Sequence, residues 1–92
     1  SPENSNDFNP KGDFSILSYD GTQIYLSKNQ AKAIQYMYTE TIKGNIYLKH
    51  KDIITASEGS EISIMELFKD KDKIMGDLIT RRTAMNEYRL NI

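Results

Sequence analysis

Apolar and polar residues alternate first in residues 14–26, where two strand-like runs flank the dipeptide Asp20-Gly21. Asp-Gly suits a two-residue type I′ turn, because both turn positions require a positive φ. The pattern therefore predicts a β-hairpin. Pairing across the turn would place these residues opposite one another: Leu17 and Ile24, Tyr19 and Thr22, Ile16 and Tyr25.

The same alternation returns in residues 78–92, at the other end of the chain. Arg81 and Arg82 precede a polar tip at residues 83–86, and a second strand follows the tip. A period of two indicates a ribbon with one buried face and one solvated face. We predict a second hairpin here, with these residues on its buried side: Tyr88, Leu90 and Ile92.

Helical patterns fill the interval between the hairpins. Ser27 and Gln30 fit a capping box at the start of a helix that Gly44 would end. A brief extended segment at residues 45–48 and a short helix over residues 49–57 follow. The next turn is predicted at Glu58-Gly59-Ser60.

A third helical segment begins near Ser60 or Ser63, and Gly76 is its predicted end. One side of this segment is mainly apolar, with Ile64, Leu67, Phe68, Lys71 and Met75. The pattern leaves open whether the helix is continuous or breaks near residues 70–73. The opposite side is polar and carries Ser63, Glu66, Lys69, Asp70 and Lys73.

The order of elements predicts a small α+β domain over residues 14–92. Residues 1–13 are rich in Ser, Asn, Pro and Gly, which favours a flexible linker or tail. Since the chain opens without a methionine, we expect it to be a domain fragment of a longer protein.

Composition restricts the function more than the fold. The 92 residues are 38% hydrophobic and 27% charged, which is typical of a globular domain. No apolar run approaches the length of a membrane span, so we expect no membrane partner. The absence of cysteine fits a cytoplasmic location. No nucleophile is paired with a base, and no phosphate-binding loop occurs. We therefore expect no enzyme activity, no catalytic residue and no cofactor.

The sequence contains no cysteine, and His50 is its single histidine. A transition-metal site would lack its usual ligands, so no metal site is expected.

The net charge is −1, yet the charges are unevenly distributed. From Leu78 to the end of the chain there are three arginines and a single acid, Glu87. Residues 60–77 contain three lysines and five acids. Phosphate binding depends on where cations are placed, so the C-terminal hairpin is the better candidate for it.

The order hairpin, helix, short strand, helix, turn, helix, hairpin resembles the winged helix-turn-helix family. The resemblance is greatest to the response-regulator effector (OmpR/PhoB-like) type. It covers residues 14–92 and depends on IYLSKNQ after Asp20-Gly21, the helical pair around EGS, and the closing YRLNI. It implies a C-terminal hairpin wing beside a three-helix core.

In that family the third helix enters the major groove and the wing contacts the flanking DNA. The resemblance implies these DNA-binding residues: Ser63, Glu66, Lys69, Asp70, Lys73, Arg81 and Arg82. The chain departs from the family in having acids among these lysines. It also departs in having two predicted N-terminal strands where four are usual.

Each cationic cluster has a simpler interpretation. Arg81 and Arg82 could be solvated charges that keep a sheet edge from aggregating. The KDKDK run of residues 69–73 is typical of a solvated helical face with local ion pairs.

The sequence favours double-stranded DNA binding as the C-terminal domain of a transcriptional regulator. A second copy of the chain or other domains of the same chain are further expected partners. The alternative is a winged helix that serves as a protein-protein interaction module, since fold alone does not determine function.

Overall fold

Three antiparallel strands form the N-terminal sheet of the computed structural model, which describes residues 9–11, 14–19, 21–58 and 63–91. The strands are β1 (Asn9–Lys11), β2 (Ile16–Tyr19) and β3 (Thr22–Tyr25), in the spatial order β1-β2-β3. The predicted register of the hairpin is confirmed, with Leu17 opposite Ile24 and Ile16 opposite Tyr25. Gly21 has the positive φ that the turn requires, at 77°, while Asp20 lies outside the described residues.

Strand β1 falls inside the segment predicted to be a linker. Pro10 pairs with Leu17 across the sheet, so residues 9–11 form an edge strand. Proline is tolerated at this position because an edge strand has one row of backbone groups that needs no partner. The rest of residues 1–13 lies outside the described part of the chain.

Helix α1 (Lys28–Lys43) has the predicted ends. The hydroxyl of Ser27 accepts a hydrogen bond from the Gln30 amide, and Gln30 Oε1 accepts one from the Ser27 amide. This reciprocal pair is the capping box. At the other end, Gly44 adopts φ 105° and donates its N–H to carbonyls of the last turn.

The short strand β4 (Leu48–Lys49) leads directly into helix α2 (His50–Ser57). Ile53 is fully buried on the inner side of α2, and Ile54 packs partly buried against the core, as predicted. Helix α2 ends at Glu58, which adopts a left-handed conformation at φ 62°. Gly59 and Ser60 of the predicted turn lie outside the described residues.

The third helix is broken. Helix α3 (Ile64–Leu67) is a single turn. Its N-cap is Ser63, whose hydroxyl accepts a hydrogen bond from the Glu66 amide. After Leu67 the chain turns, and residues 74–78 form one turn of π-helix. Gly76 lies inside this π-helical turn, so its predicted role as the end of the helix is wrong.

The C-terminal hairpin is confirmed. Strands β5 (Ile79–Arg82) and β6 (Glu87–Leu90) are antiparallel and are joined by a 3₁₀ turn at Thr83–Met85. Strand β4 pairs with β6, which gives a second three-stranded sheet in the order β4-β6-β5. We call it the C-terminal sheet.

Helix α1 packs against α2 and β6, and apolar side chains from both sheets join it in the hydrophobic core. Phe68 is fully buried, which confirms the phase assigned to the third helical segment. Ile74, Leu78 and Leu90 are also fully buried. The π-helical turn thus anchors the chain in the core immediately before β5.

The described residues therefore form a small α+β domain with a β-hairpin, helices and a later sheet. No helix in this part of the chain is long and apolar enough to cross a lipid bilayer.

Candidate nucleic-acid interface

The C-terminal sheet has one buried face and one outer face. Successive strand residues point to opposite faces, so Ile79, Tyr88 and Leu90 share the buried face. The outer face carries the row Lys49–Glu87–Arg82 across the three strands. Arg89 lies opposite Thr80 in the next outward-facing row.

Arg82 is held in place by two neighbours on the outer face. Its Nη1 lies 3.6 Å from Oε1 of Glu87, its cross-strand partner. Its guanidinium carbon lies 4.6 Å from the centre of the Tyr47 ring, within the range of a cation–π contact. Arg82 remains about half exposed, with 52% of its side chain accessible. It is therefore both positioned and available to solvent.

Arg81 lies on the opposite face of strand β5 from Arg82. This is the face that Ile79 and Tyr88 share, but Arg81 lies past its buried part. It is exposed, and its Nη1 lies 3.7 Å from the sulfur of Met65 in α3. Arg81 thus lies where the C-terminal sheet meets α3, whereas Arg82 lies on the outer face. The two predicted arginines are adjacent in sequence but belong to different surfaces.

Residues that sequence reasoning did not select complete the outer face. The Arg89 guanidinium lies 5.7 Å from the same Tyr47 ring, and its buried Nε has no hydrogen-bond partner among the described residues. Lys49 is exposed. The alternation of polar and apolar residues in β6 predicts that Arg89 faces outward. The sequence does not predict the cross-strand register that brings Lys49 and Tyr47 close to Arg89.

The predicted recognition residues do not share one helical face, because α3 ends at Leu67. Ser63 and Glu66 belong to its single turn, whereas Lys69, Asp70 and Lys73 follow it. Glu66 and Lys69 form a 4.0 Å ion pair, and Lys73 pairs with Asp77 at 3.0 Å.

Two side chains donate hydrogen bonds to the Asp70 carboxylate. Lys71 Nζ donates to its Oδ2 at 3.0 Å, and Gln30 Nε2 donates to its Oδ1 at 3.0 Å. The bond from Lys71, followed by the bond from Gln30, lowers the pKa of the Asp70 carboxyl from its ordinary value. Asp70 therefore stays ionised and links the turn after α3 to helix α1.

The charges divide the candidate surface into two parts. Strands β4, β5 and β6 together contain four cationic residues and one acid, Glu87. Residues 63–78 contain three lysines and four acids, and each of these lysines forms an ion pair. Of these two parts, only the C-terminal sheet has a net positive charge.

His50 has a structural contact. Its Nε2 accepts a hydrogen bond from the backbone amide of Ile64 at 3.2 Å, and its ring lies 5.8 Å from that of Tyr88. The Ile64 amide belongs to the first turn of α3, where backbone N–H groups have no partner within the helix. His50 therefore fixes the start of α3 relative to the start of α2.

The search for relatives gave no match: no family model fits the chain, and no curated protein or solved structure is significantly similar to it.

Proposed function

We propose that this domain binds double-stranded DNA, and that it does so as the DNA-binding part of a transcriptional regulator with a winged-helix arrangement. The C-terminal hairpin would be the wing. The observation that carries the proposal is the concentration of positive charge on the C-terminal sheet, with four cationic residues and one acid. Cations of this kind supply the sequence-independent part of DNA affinity.

Arg81 and Arg82 are the proposed phosphate contacts. Both are exposed, and they lie on different surfaces of the same strand, so they would reach different points of the DNA backbone. Tyr47 and Glu87 restrict the Arg82 side chain, which reduces the conformational entropy lost on binding. An arginine at a hairpin can also enter a narrow minor groove.

We propose a smaller role in DNA binding for residues 63–73. Sequence reading in the major groove normally uses several side chains from one helix face. Here the helix has one turn, and Lys69 and Lys73 lie after its end. We therefore propose that binding is dominated by the DNA backbone and that Ser63, Glu66, Lys69, Asp70 and Lys73 add only weak base preference.

The test is to replace both arginines with glutamine and measure binding to several unrelated duplexes. Phosphate contacts carry no direct sequence information, so Arg81→Gln/Arg82→Gln should weaken binding to all of them about equally. The slope of log affinity against log salt should shrink by up to roughly two, about 0.9 for each phosphate that is no longer neutralised. An unchanged affinity and slope would contradict the proposal.

Lys69→Gln/Lys73→Gln tests the contribution of the third helical segment. We expect a small loss of affinity that is equal for all duplexes. Loss of discrimination between duplexes would instead assign base reading to these residues.

A second candidate function is protein contact, favoured by the paired charges of residues 63–78 and by exposed apolar side chains in α3 and at the hairpin tip. Met65 in α3 and Met85 at the hairpin tip are 55% and 58% exposed. Methionine suits adaptable protein interfaces. If Met65→Gln/Met85→Gln leaves duplex binding intact but abolishes association with a second copy of the chain or with another domain, this function is supported.

A further inference from the structure

Strand β3 is an open edge of the N-terminal sheet, because β2 pairs with it on one side and no described strand pairs with it on the other. The Leu26 amide bonds to Ser15 O at 2.7 Å, which sets the phase of the antiparallel ladder. In this phase Ile24 bonds to β2, whereas the backbone groups of Gln23 and Tyr25 point away from it. No residue in the described part of the chain hydrogen-bonds to these outward groups, so they are free to pair with a further strand.

The other edges of the two described sheets each have a feature that opposes strand pairing. Pro10 of β1 is opposite Leu17, and in the same phase it lacks the N–H that would point out from that edge. Strand β4 has only two residues, and β5 carries Arg81 and Arg82. Proline, charge and short length are the usual means by which a protein protects a sheet edge. Strand β3 has none of them, because its sequence TQIY is uncharged, contains no proline and is paired along its full length with β2.

We infer that β3 binds the same strand of a second copy of the chain, so that the two N-terminal sheets join into one. A two-fold axis at Ile24 sets Gln23 of each copy opposite Tyr25 of the other. In an antiparallel ladder each such pair exchanges both of its N–H···O bonds, so every outward backbone group of Gln23 and Tyr25 finds a partner. The strand is therefore complementary to itself, as the interface of a symmetric dimer must be.

The side chains of β3 also suit a second copy. Tyr25 is 62% exposed, and Gln23 is exposed on the same face of the strand. The Tyr25 hydroxyl donates to Oε1 of Gln23 in its own strand at 3.4 Å, and the two-fold register brings the same two groups together between copies. The net charge of the chain is only −1, so two copies repel each other weakly. These features favour a second copy as the partner of this edge.

The experiment measures self-association of the whole chain by analytical ultracentrifugation from about 1 µM to about 1 mM. The wild-type chain should show an equilibrium between monomer and dimer. Gln23→Lys/Tyr25→Lys sets lysines opposite lysines across the two-fold axis and should weaken the dimer roughly tenfold. The matched control is Gln35→Lys/Thr39→Lys, which adds the same charge at exposed positions of α1 and should leave the dimer near wild type.

Amide hydrogen exchange of the wild-type chain gives a second readout that needs no variant. The outward amides of Gln23 and Tyr25 should become protected as the concentration rises, whereas the Ile24 amide, which bonds to β2, should be protected throughout. A chain that remains monomeric at about 1 mM would overturn the inference. A dimer that the β3 lysines do not weaken would also overturn it and assign association to another surface. Protection of Gln23 and Tyr25 at every concentration would mean that another segment of the same chain covers the edge, which would equally overturn it.

Discussion

Gln30 Nε2 donates a hydrogen bond to the backbone carbonyl of Leu67 at 2.8 Å. In a continuous α-helix that carbonyl would accept the amide of Lys71, four residues later. The Lys71 amide instead bonds to Phe68 O at 2.9 Å. A side chain from α1 thus occupies the acceptor that would extend α3, and the helix ends there.

Replacing Gln30 should therefore cost stability. The side chain is only 4% exposed, and Gln30→Leu would leave the Leu67 carbonyl and the Ser27 amide without these partners. We expect the free energy of unfolding to fall by about 2–3 kcal/mol in urea titrations. Gln35→Leu, at an exposed position of the same helix, is the control and should change it by less than about 0.5 kcal/mol. Equal effects of the two changes would contradict this role.

The pKa of Asp70 tests the hydrogen bonds that link the turn after α3 to helix α1. Lys71→Met should raise it toward the ordinary value of about 3.9, and Gln30→Leu should raise it less, because the Lys71 bond lowers it most. Lys69→Met is the control and should leave the pKa in place. Since the pKa is lowered on folding, the stabilisation exists above the unfolded-state pKa and disappears as pH falls through the folded-state pKa. Carboxyl NMR titration gives the values, and no response to Lys71→Met would contradict the contact.

Phe68 follows the end of α3 and is fully buried. Phe68→Ala should lower the free energy of unfolding by about 3–5 kcal/mol, because it removes a large side chain from a packed site. Met65→Ala is the matched change at a position that is 55% exposed, and it should cost less than about 1 kcal/mol. A cost below about 1 kcal/mol for Phe68→Ala would show that this side chain is not packed.

His50 should control the start of α3. His50→Phe keeps an aromatic ring beside Tyr88 but removes the acceptor for the Ile64 amide. We expect faster hydrogen exchange at Ile64 and a loss of about 1 kcal/mol in the free energy of unfolding. Unchanged protection of the Ile64 amide would mean that the bond does not form in solution.

Local chemistry made much of the fold predictable. The Asp-Gly turn specified the register of β2 and β3, because turn length and the period of two leave a single pairing that buries Leu17 and Ile24. The ends of α1 were predictable for a similar reason. Ser27, Gln30 and Gly44 act through bonds within a few residues of themselves.

Features that depend on distant partners were not predictable. The break after Leu67 depends on Gln30, 37 residues earlier in the chain. The apolar pattern of residues 64–75 is equally consistent with a continuous helix. Strand β1 has no apolar alternation and is defined by its pairing with β2.

The candidate site was predictable only in part. The excess of arginine in the C-terminal hairpin is visible in the sequence, but which surface each arginine occupies depends on Tyr47 and Met65. The ion pairs of Lys69 and Lys73 likewise follow from the folded backbone.

The salt dependence of duplex binding by the wild-type chain is the direct test of the proposed DNA binding. Fluorescence anisotropy with a labelled duplex should show binding at about 50 mM salt that weakens steadily toward 200 mM. With phosphate contacts from Arg81 and Arg82, the slope of log affinity against log salt should be about −2. A slope near zero, or no binding at about 50 mM salt by the folded chain, would mean that the domain does not bind DNA through phosphate contacts.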